Sequence, residues 1–226
     1  MKKATKLFTE EEIHTIEAAI GEVEKTTSAE VVPVVASASG RYDRAEDLFA
    51  FLLSIVVFGC AWAWFQGMIP SVDTWSGNPV FRLNLPIALV ILVGTFFIGM
   101  ALASRFPLLR LPLIAKREMQ EEVESRARET FQRLKIRRTE NATGLLIYVS
   151  LYEHMVHVVG DETINETLSD SDWQALCDII LLGFKEGKPE EGLCNGIRLS
   201  GELLSRHFPV KPGDKNELVD TLHLID

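Results

Sequence analysis

Three cysteines occur in the whole sequence, Cys60, Cys177 and Cys194, and no two of them form a CxxC pair. That argues against a disulfide framework or a structural zinc site as the source of stability. Positive charge is also scarce. Lysine and arginine number 23 against 32 acidic residues, for a net charge of -9, and no basic stripe stands out. Generic binding to nucleic acid is not expected from such a chain. The N-terminal "MKKATKLFTEEE" has lysines but no apolar run behind them, so it does not read as a signal peptide. The usual nucleophile and phosphate-binding signatures are missing as well: there is no GxSxG, GxxxxGK[ST], HExxH or Cys-x5-Arg.

The most informative absence is of charge in the middle of the chain. Residues 48–69, "LFAFLLSIVVFGCAWAWFQGMI", and 85–104, "LPIALVILVGTFFIGMALAS", contain no Asp, Glu, Lys, Arg or His. At ~1.5 Å per helical residue each run crosses a hydrocarbon core of ~30 Å. Trp62, Trp64 and Trp75 cluster towards the intervening loop, as an interfacial aromatic belt does. That loop, residues 70–84, is too short for a domain and carries one basic residue, Arg82. Arg41, Arg44, Arg105, Arg110, Lys116 and Arg117 flank the outer ends instead. The positive-inside rule then predicts a two-pass membrane hairpin with both termini cytoplasmic and the loop outside. The spans lack the ionisable residues that mark ion and proton paths, which argues against a transporter. Gly59, Gly94 and Gly99 permit close helix approach, within the pair or between copies.

The flanks read as two pieces of one soluble domain. Thr9 and Glu12 fit a capping box, Phe8 and Ile13 a hydrophobic staple, and Ile13, Ile16, Ile20 and Val23 follow helical spacing. "AEVVPVVAS" reads as a buried strand whose Pro33 points to a place near an edge. Beyond the hairpin, Met119, Val123, Ala127, Phe131 and Leu134 form the apolar stripe of a helix whose charges are a solvated face. Residues 145–151 and 155–159 read as two strands joined by a tight turn at 152–154. A helix capped by Asp170 or Ser171 follows; it carries Trp173, Leu176, Ile180 and Phe184 and is apolar nearly all round. A last helix opens at Pro189, with Leu193, Ile197, Leu204 and Phe208 facing inward. The first flank alone, one helix and one strand, is too small to hold a core. The first strand, the helix from Lys116 and the second strand instead make a right-handed βαβ unit with the hairpin inserted in its crossover. The expected parts are residues 1–47 and 105–226 for the α/β domain and 48–104 for the hairpin.

The blocks "LFTEEEIHTIEAAIGEVEKTTSAEVVPVVA", "TGLLIYVSLYEHMVHVVGDETI", "DWQALCDII" and "FPVKPGDKNELVD" resemble the TPM-domain family, and its bacterial membrane branch in particular. The resemblance implies a small mixed α/β sheet of four strands flanked by helices. It also implies association with membrane complexes, since relatives include a thylakoid protein linked to photosystem repair and an auxiliary protein of acetylcholine receptors. Acid phosphatase activity and divalent metal binding are reported for members of the family. Many relatives hold the domain outside the cytoplasm on a single anchor, an arrangement this sequence departs from.

Few residues suggest chemistry. Cys177 and Cys194 sit at helix positions and read as packing. His154 and His157 lie three apart in and after a turn, on opposite faces of a strand, which suits shared ligation poorly. The acidic group Asp161, Glu162, Glu166, Asp170 and Asp172 is the candidate metal site, for calcium or magnesium, although it lacks EF-hand spacing. Its alternative reading is a polar loop whose acids cap the next helix. Strand directions place it at the end of the sheet away from the hairpin. The C-terminal "NELVD", residues 216–220, is either a tail docking on the domain or a short recognition peptide. The expected function is a membrane-anchored TPM-like module that binds the lipid bilayer and assists another membrane protein. A metal-dependent phosphatase at the acidic group and a self-assembling membrane homo-oligomer are the alternatives.

Overall fold

The computed structural model describes residues 3–67, 83–136, 143–210 and 218–226. In chain order the elements are α1 (Glu10–Glu24), β1 (Glu30–Ala36), α2 (Asp43–Gly67), α3 (Leu85–Arg105), α4 (Lys116–Arg133), β2 (Gly144–Ser150), β3 (Met155–Gly160), α5 (Glu162–Thr167), α6 (Asp170–Lys185), α7 (Pro189–His207) and β4 (His223–Ile225). The chain divides into two units: Arg41–Ala115, and Lys2–Gly40 together with Lys116–Asp226.

The split unit is built on a mixed four-stranded sheet of order β3-β2-β1-β4. β1 runs parallel to β2, with Glu30 opposite Gly144 and Ala36 opposite Ser150, and parallel to β4 over Val34–Ala36. β3 returns antiparallel to β2. Both faces of the sheet are covered, which explains why "EVVPVVA" is apolar without alternation. On one face Val31, Val35, Leu145, Ile147 and Val149 pack with Ile16 and Ile20 of α1, Ile180 of α6 and Ile197 of α7. On the other, Val32, Val34, Leu146 and Tyr148 meet Val123, Ala127 and Phe131 of α4.

Local chemistry sets the helix starts. Thr9 and Glu12 form the expected capping box, with Thr9 N–H donating to Glu12 Oε2 at 2.7 Å. Phe8 is buried in the cluster that Ile13 packs against, as a staple requires. The cap of α6 is Ser169, one residue before the expected Asp170 or Ser171. This helix buries Leu176 and Ile180 but leaves Leu182 54% exposed, so it is amphipathic rather than apolar all round.

β4 supplies the fourth strand that the resemblance implies, but neither its place nor the short α5 could be read from the residues, because three-residue pairing and a single helical turn leave no periodic signal. β4 also refines the place of Pro33. Ser37 N–H donates to Ile225 O at 2.8 Å, towards β4. Strand N–H groups alternate sides, so Pro33 would have donated on that same side. β4 pairing begins only at Val34, so β1 is internal along its second half and an edge along its first, and the missing donor lies on the edge half.

Past β1 the chain is pinned before it leaves the sheet. Glu153, 5% exposed, accepts from Ser39 N–H at 2.9 Å, Gly40 N–H at 3.1 Å and the Ser150 hydroxyl. Arg126 Nε–H donates to Ser39 O at 3.1 Å.

In the other unit α2 and α3 are both long and apolar enough to cross a membrane. They pack through small residues: Ala50, Ser54, Gly99 and Ala103 are buried, while Phe51, Val56, Val90 and Phe97 point outward. A Cβ on Gly99 would stand 2.8 Å from Ala50 Cα, whereas one on Gly94 would meet nothing within 4 Å. At the base, Arg110 forms an ion pair with Glu46, and the Ser104 hydroxyl donates to the same carboxylate at 3.1 Å. The flanking basic residue thus also ties the hairpin shut. Trp75 and Arg82 lie outside the described residues.

Two glycines of one helix therefore separate packing from composition. Gly99→Ala is expected to lower the stability of the protein in mild detergent by about 1–3 kcal/mol through overpacking. Gly94→Ala should leave it unchanged. Unfolding by titrated SDS, followed by circular dichroism, checks both.

Candidate functional site

A cavity of about 560 Å³ opens beside α1, the start of β1 and the segment before β4. Glu17, Gly21 and Glu24 line it from α1; the spacings of four and three put them on one helix face. Thr27, Ser28 and Glu30 follow, then Val210 after α7 and Asp220 ahead of β4. Ala18, Glu22 and Lys25 complete the lining, and the last two bind each other at 2.6 Å.

Asp220 sits directly on the bare backbone of α1: a Cβ on Gly21 would be 2.9 Å from Asp220 Oδ2. One turn away Glu17 Oε1 accepts from Leu222 N–H at 3.3 Å. Glu24 Oε1 accepts from Val31 N–H at 3.2 Å. That bond occupies a donor of the half of β1 that β4 leaves uncovered. Thr27 Oγ1 takes Ala29 N–H at 3.2 Å, and Pro33 has no N–H. The open edge of β1 thus presents no free donor to a foreign strand from these three positions.

Burial, a hydrogen bond to Asp220 and the nearby Glu30 charge push the Glu24 carboxyl up to about 9. Glu24 is therefore a neutral acid at pH 7, able to accept and donate at once. Glu30 is 7% exposed beside it. Such a lining attracts cationic groups and repels phosphate dianions.

The acids singled out in the sequence lie elsewhere: four stand at two helix starts and Glu166 near the end of α5. Asp161, 4% exposed, caps α5 by accepting from Glu162 N–H at 2.9 Å, and its own N–H donates to Gly144 O. It stands at the Glu30–Gly144 end of the sheet, as the strand directions require. Glu162 and Glu166 belong to α5, and Glu166 is exposed. Asp170 begins α6, and Asp172 closes its capping box, accepting from Ser169 N–H at 3.0 Å and from the Ser169 hydroxyl at 2.6 Å. Those bonds hold the Asp172 carboxyl below its ordinary value. Among the described residues no three His, Cys, Asp or Glu side chains are gathered to hold one metal ion.

The other candidates take structural places. His154 sits in the turn at φ 53°, and His157 on β3 is pushed down by burial. Cys177 donates to Val156 O at 3.7 Å, and burial raises its thiol to about 11; Cys194 is buried. Of "NELVD", residues 216 and 217 lie outside the described part. Leu218 packs on the α4 side of the sheet, and Asp220 docks on α1.

Comparison with known proteins adds the following. Residues 113–202 match the TPM domain. The matched stretch contains Asp161, Glu162, Glu166, Asp170 and Asp172 but none of the residues that line the cavity. Among solved structures, the chain is similar to the BA42 protein of the psychrophilic bacterium Bizionia argentinensis, determined by NMR. The TM-score is 0.57 at 23% identity, with 99% of each chain covered, a likeness of fold. No curated protein matches.

The cavity was hidden because Glu17, Glu24, Glu30 and Asp220 are far apart in sequence. One local signal existed: Glu30 is a charged residue opening an otherwise apolar buried strand.

The capping assignment has a measurable consequence. Ser169→Ala is expected to cost about 1 kcal/mol through loss of the α6 cap. Because the Asp172 value is depressed on folding, its contribution is present above the ordinary carboxylate range and is lost as pH falls through the depressed value. Thermal melts between pH 6 and pH 2 should show this acid loss in the wild type and less of it in Asp172→Asn.

Proposed function

We propose that the chain is a membrane-anchored TPM-like module that binds another membrane protein and assists its assembly or maintenance. The observation that carries this is the position of the apolar hairpin. The Arg41–Ala115 unit interrupts the chain between β1 and α4, inside the crossover that completes the sheet. An anchor built into the crossover is joined to the sheet by two chain connections, so a single cut does not release it, which suits a resident of the membrane. The outward apolar surface of α2 and α3 supports contact with lipid. The basic residues around the outer ends support a cytoplasmic location for both flanks, in the inner membrane of a bacterium.

The Asp161 and Asp172 carboxylates are engaged as helix caps. This favours a binding role over a phosphatase centred on that group. The TPM domain match at residues 113–202 supports the module's class.

Crosslinking in native membranes, followed by mass spectrometry, tests the reading. The expected outcome is recurrent links from Lys116, Lys185 or Lys188 to the same second membrane protein. Links confined to this chain, or joining only copies of it, would replace the proposal with self-assembly.

A further inference from the structure

We propose that the C-terminal segment 218–226 is a latch, fastened to α1 by a proton shared between Glu24 and Asp220, that loosens as pH rises. The proposal goes beyond the anchoring role and does not depend on it.

The geometry makes the latch local. β4 pairs with β1 over three residues only, Val34–Ala36. The rest of its attachment combines polar contacts over α1, where Asp220 lies over Gly21 and Leu222 N–H donates to Glu17, with the buried Leu222 side chain and the Asp226 carboxylate, which accepts from the Thr5 and Ser37 hydroxyls. The charged groups facing Glu24 are Glu17, Glu22 and Lys25 from α1, Glu30 from β1 and Asp220 from the latch itself. Thr27, Ser28 and Val210 carry no charge, and Lys25 is taken up by Glu22 at 2.6 Å. Asp220 and Glu30 beside the half-buried Glu24 disfavour its ionised form.

Glu24 therefore keeps its proton. As a neutral acid it accepts Val31 N–H and still has an O–H for Asp220. Ionised, it loses that donor and confronts a second negative charge. Its value is raised to about 9 in the closed form, above that of a glutamate in water. Opening therefore releases a proton. The contribution to closure is fully present below the ordinary glutamate value, declines as pH rises, and is gone above about 9. Each pH unit within that window shifts the closed-to-open ratio by up to about tenfold. His223 in β4 does not confuse the series above pH 7, because burial pushes it below its ordinary value and keeps it neutral.

Amide hydrogen exchange of the full chain in mild detergent tests this, with rates corrected for base catalysis. Between pH 7 and 9 the protection of Leu222, His223 and Ile225 is expected to fall by about fiftyfold, a tenfold step followed by about fivefold as the closed form reaches half-ionisation. The β2 amides of Leu146 and Val149 should hold. Glu24→Gln presents the same acceptor and donor without a proton to lose, so its latch protection should be flat with pH. Asp220→Asn removes one negative charge and supplies a donor to an ionised Glu24 but leaves Glu24 buried, so it should make the profile shallower, which keeps the test open if one variant folds poorly. Glu22→Gln should keep the wild-type slope. A flat wild-type profile, an unchanged slope in both Glu24→Gln and Asp220→Asn, or β2 amides falling in step with the latch would overturn the proposal.

Discussion

The parallel ladder between β1 and β2 is the constraint on which the rest of this molecule depends. It joins Glu30 to Gly144 and Ala36 to Ser150, so the two flanks of an apolar hairpin become a single sheet. Each side of that sheet needs cover, and the chain supplies α4 on one face and α1, α6 and α7 on the other. The polar contacts of Glu153 fix the backbone at Ser39 and Gly40, at the end of the strand's own unit. Crossover connections of parallel strands are long in any case, and this one has been extended rather than replaced.

The acidic cavity follows from incomplete coverage of β1. A four-stranded sheet with a three-residue edge strand leaves half of its neighbour open. In this protein the opening is managed by chemistry rather than by more strand. Proline removes one donor, a threonine hydroxyl takes another and a carboxylic acid a third. An amide side chain would suffice for this at any pH. A carboxyl group accepts Val31 N–H whether or not it holds a proton, and only its second bond, to Asp220, is conditional.

Much of the fold was legible because its signals are local and periodic. The capping box at Thr9, the apolar stripe from Met119 to Phe131 and the continuous run of β2 each announce their element. The placement of Pro33 was half legible: proline does mark an edge, but one that covers only part of the strand. What could not be read rests on long-range meetings. Asp220 touches Gly21 across nearly the whole sequence, and nothing in "NELVD" encodes that partner. The acids at 161–172 drew attention as a run, and the geometry places all but Glu166 at helix starts, where short acidic runs are commonly used. The groups that converge in space were scattered singly along the chain.

The insertion also dictates an order of events during synthesis. β1 leaves the ribosome early, yet its first partner, β2, follows only after the whole hairpin and α4 have been made. β4, its partner on the other side, comes later still. Until then "EVVPVVA" is an apolar strand with both edges unsatisfied, the kind of segment that aggregates when it waits. A hairpin that partitions promptly into lipid would tether the growing chain and keep such strands from different copies apart. The same interruption that lengthens the wait would then also shelter it.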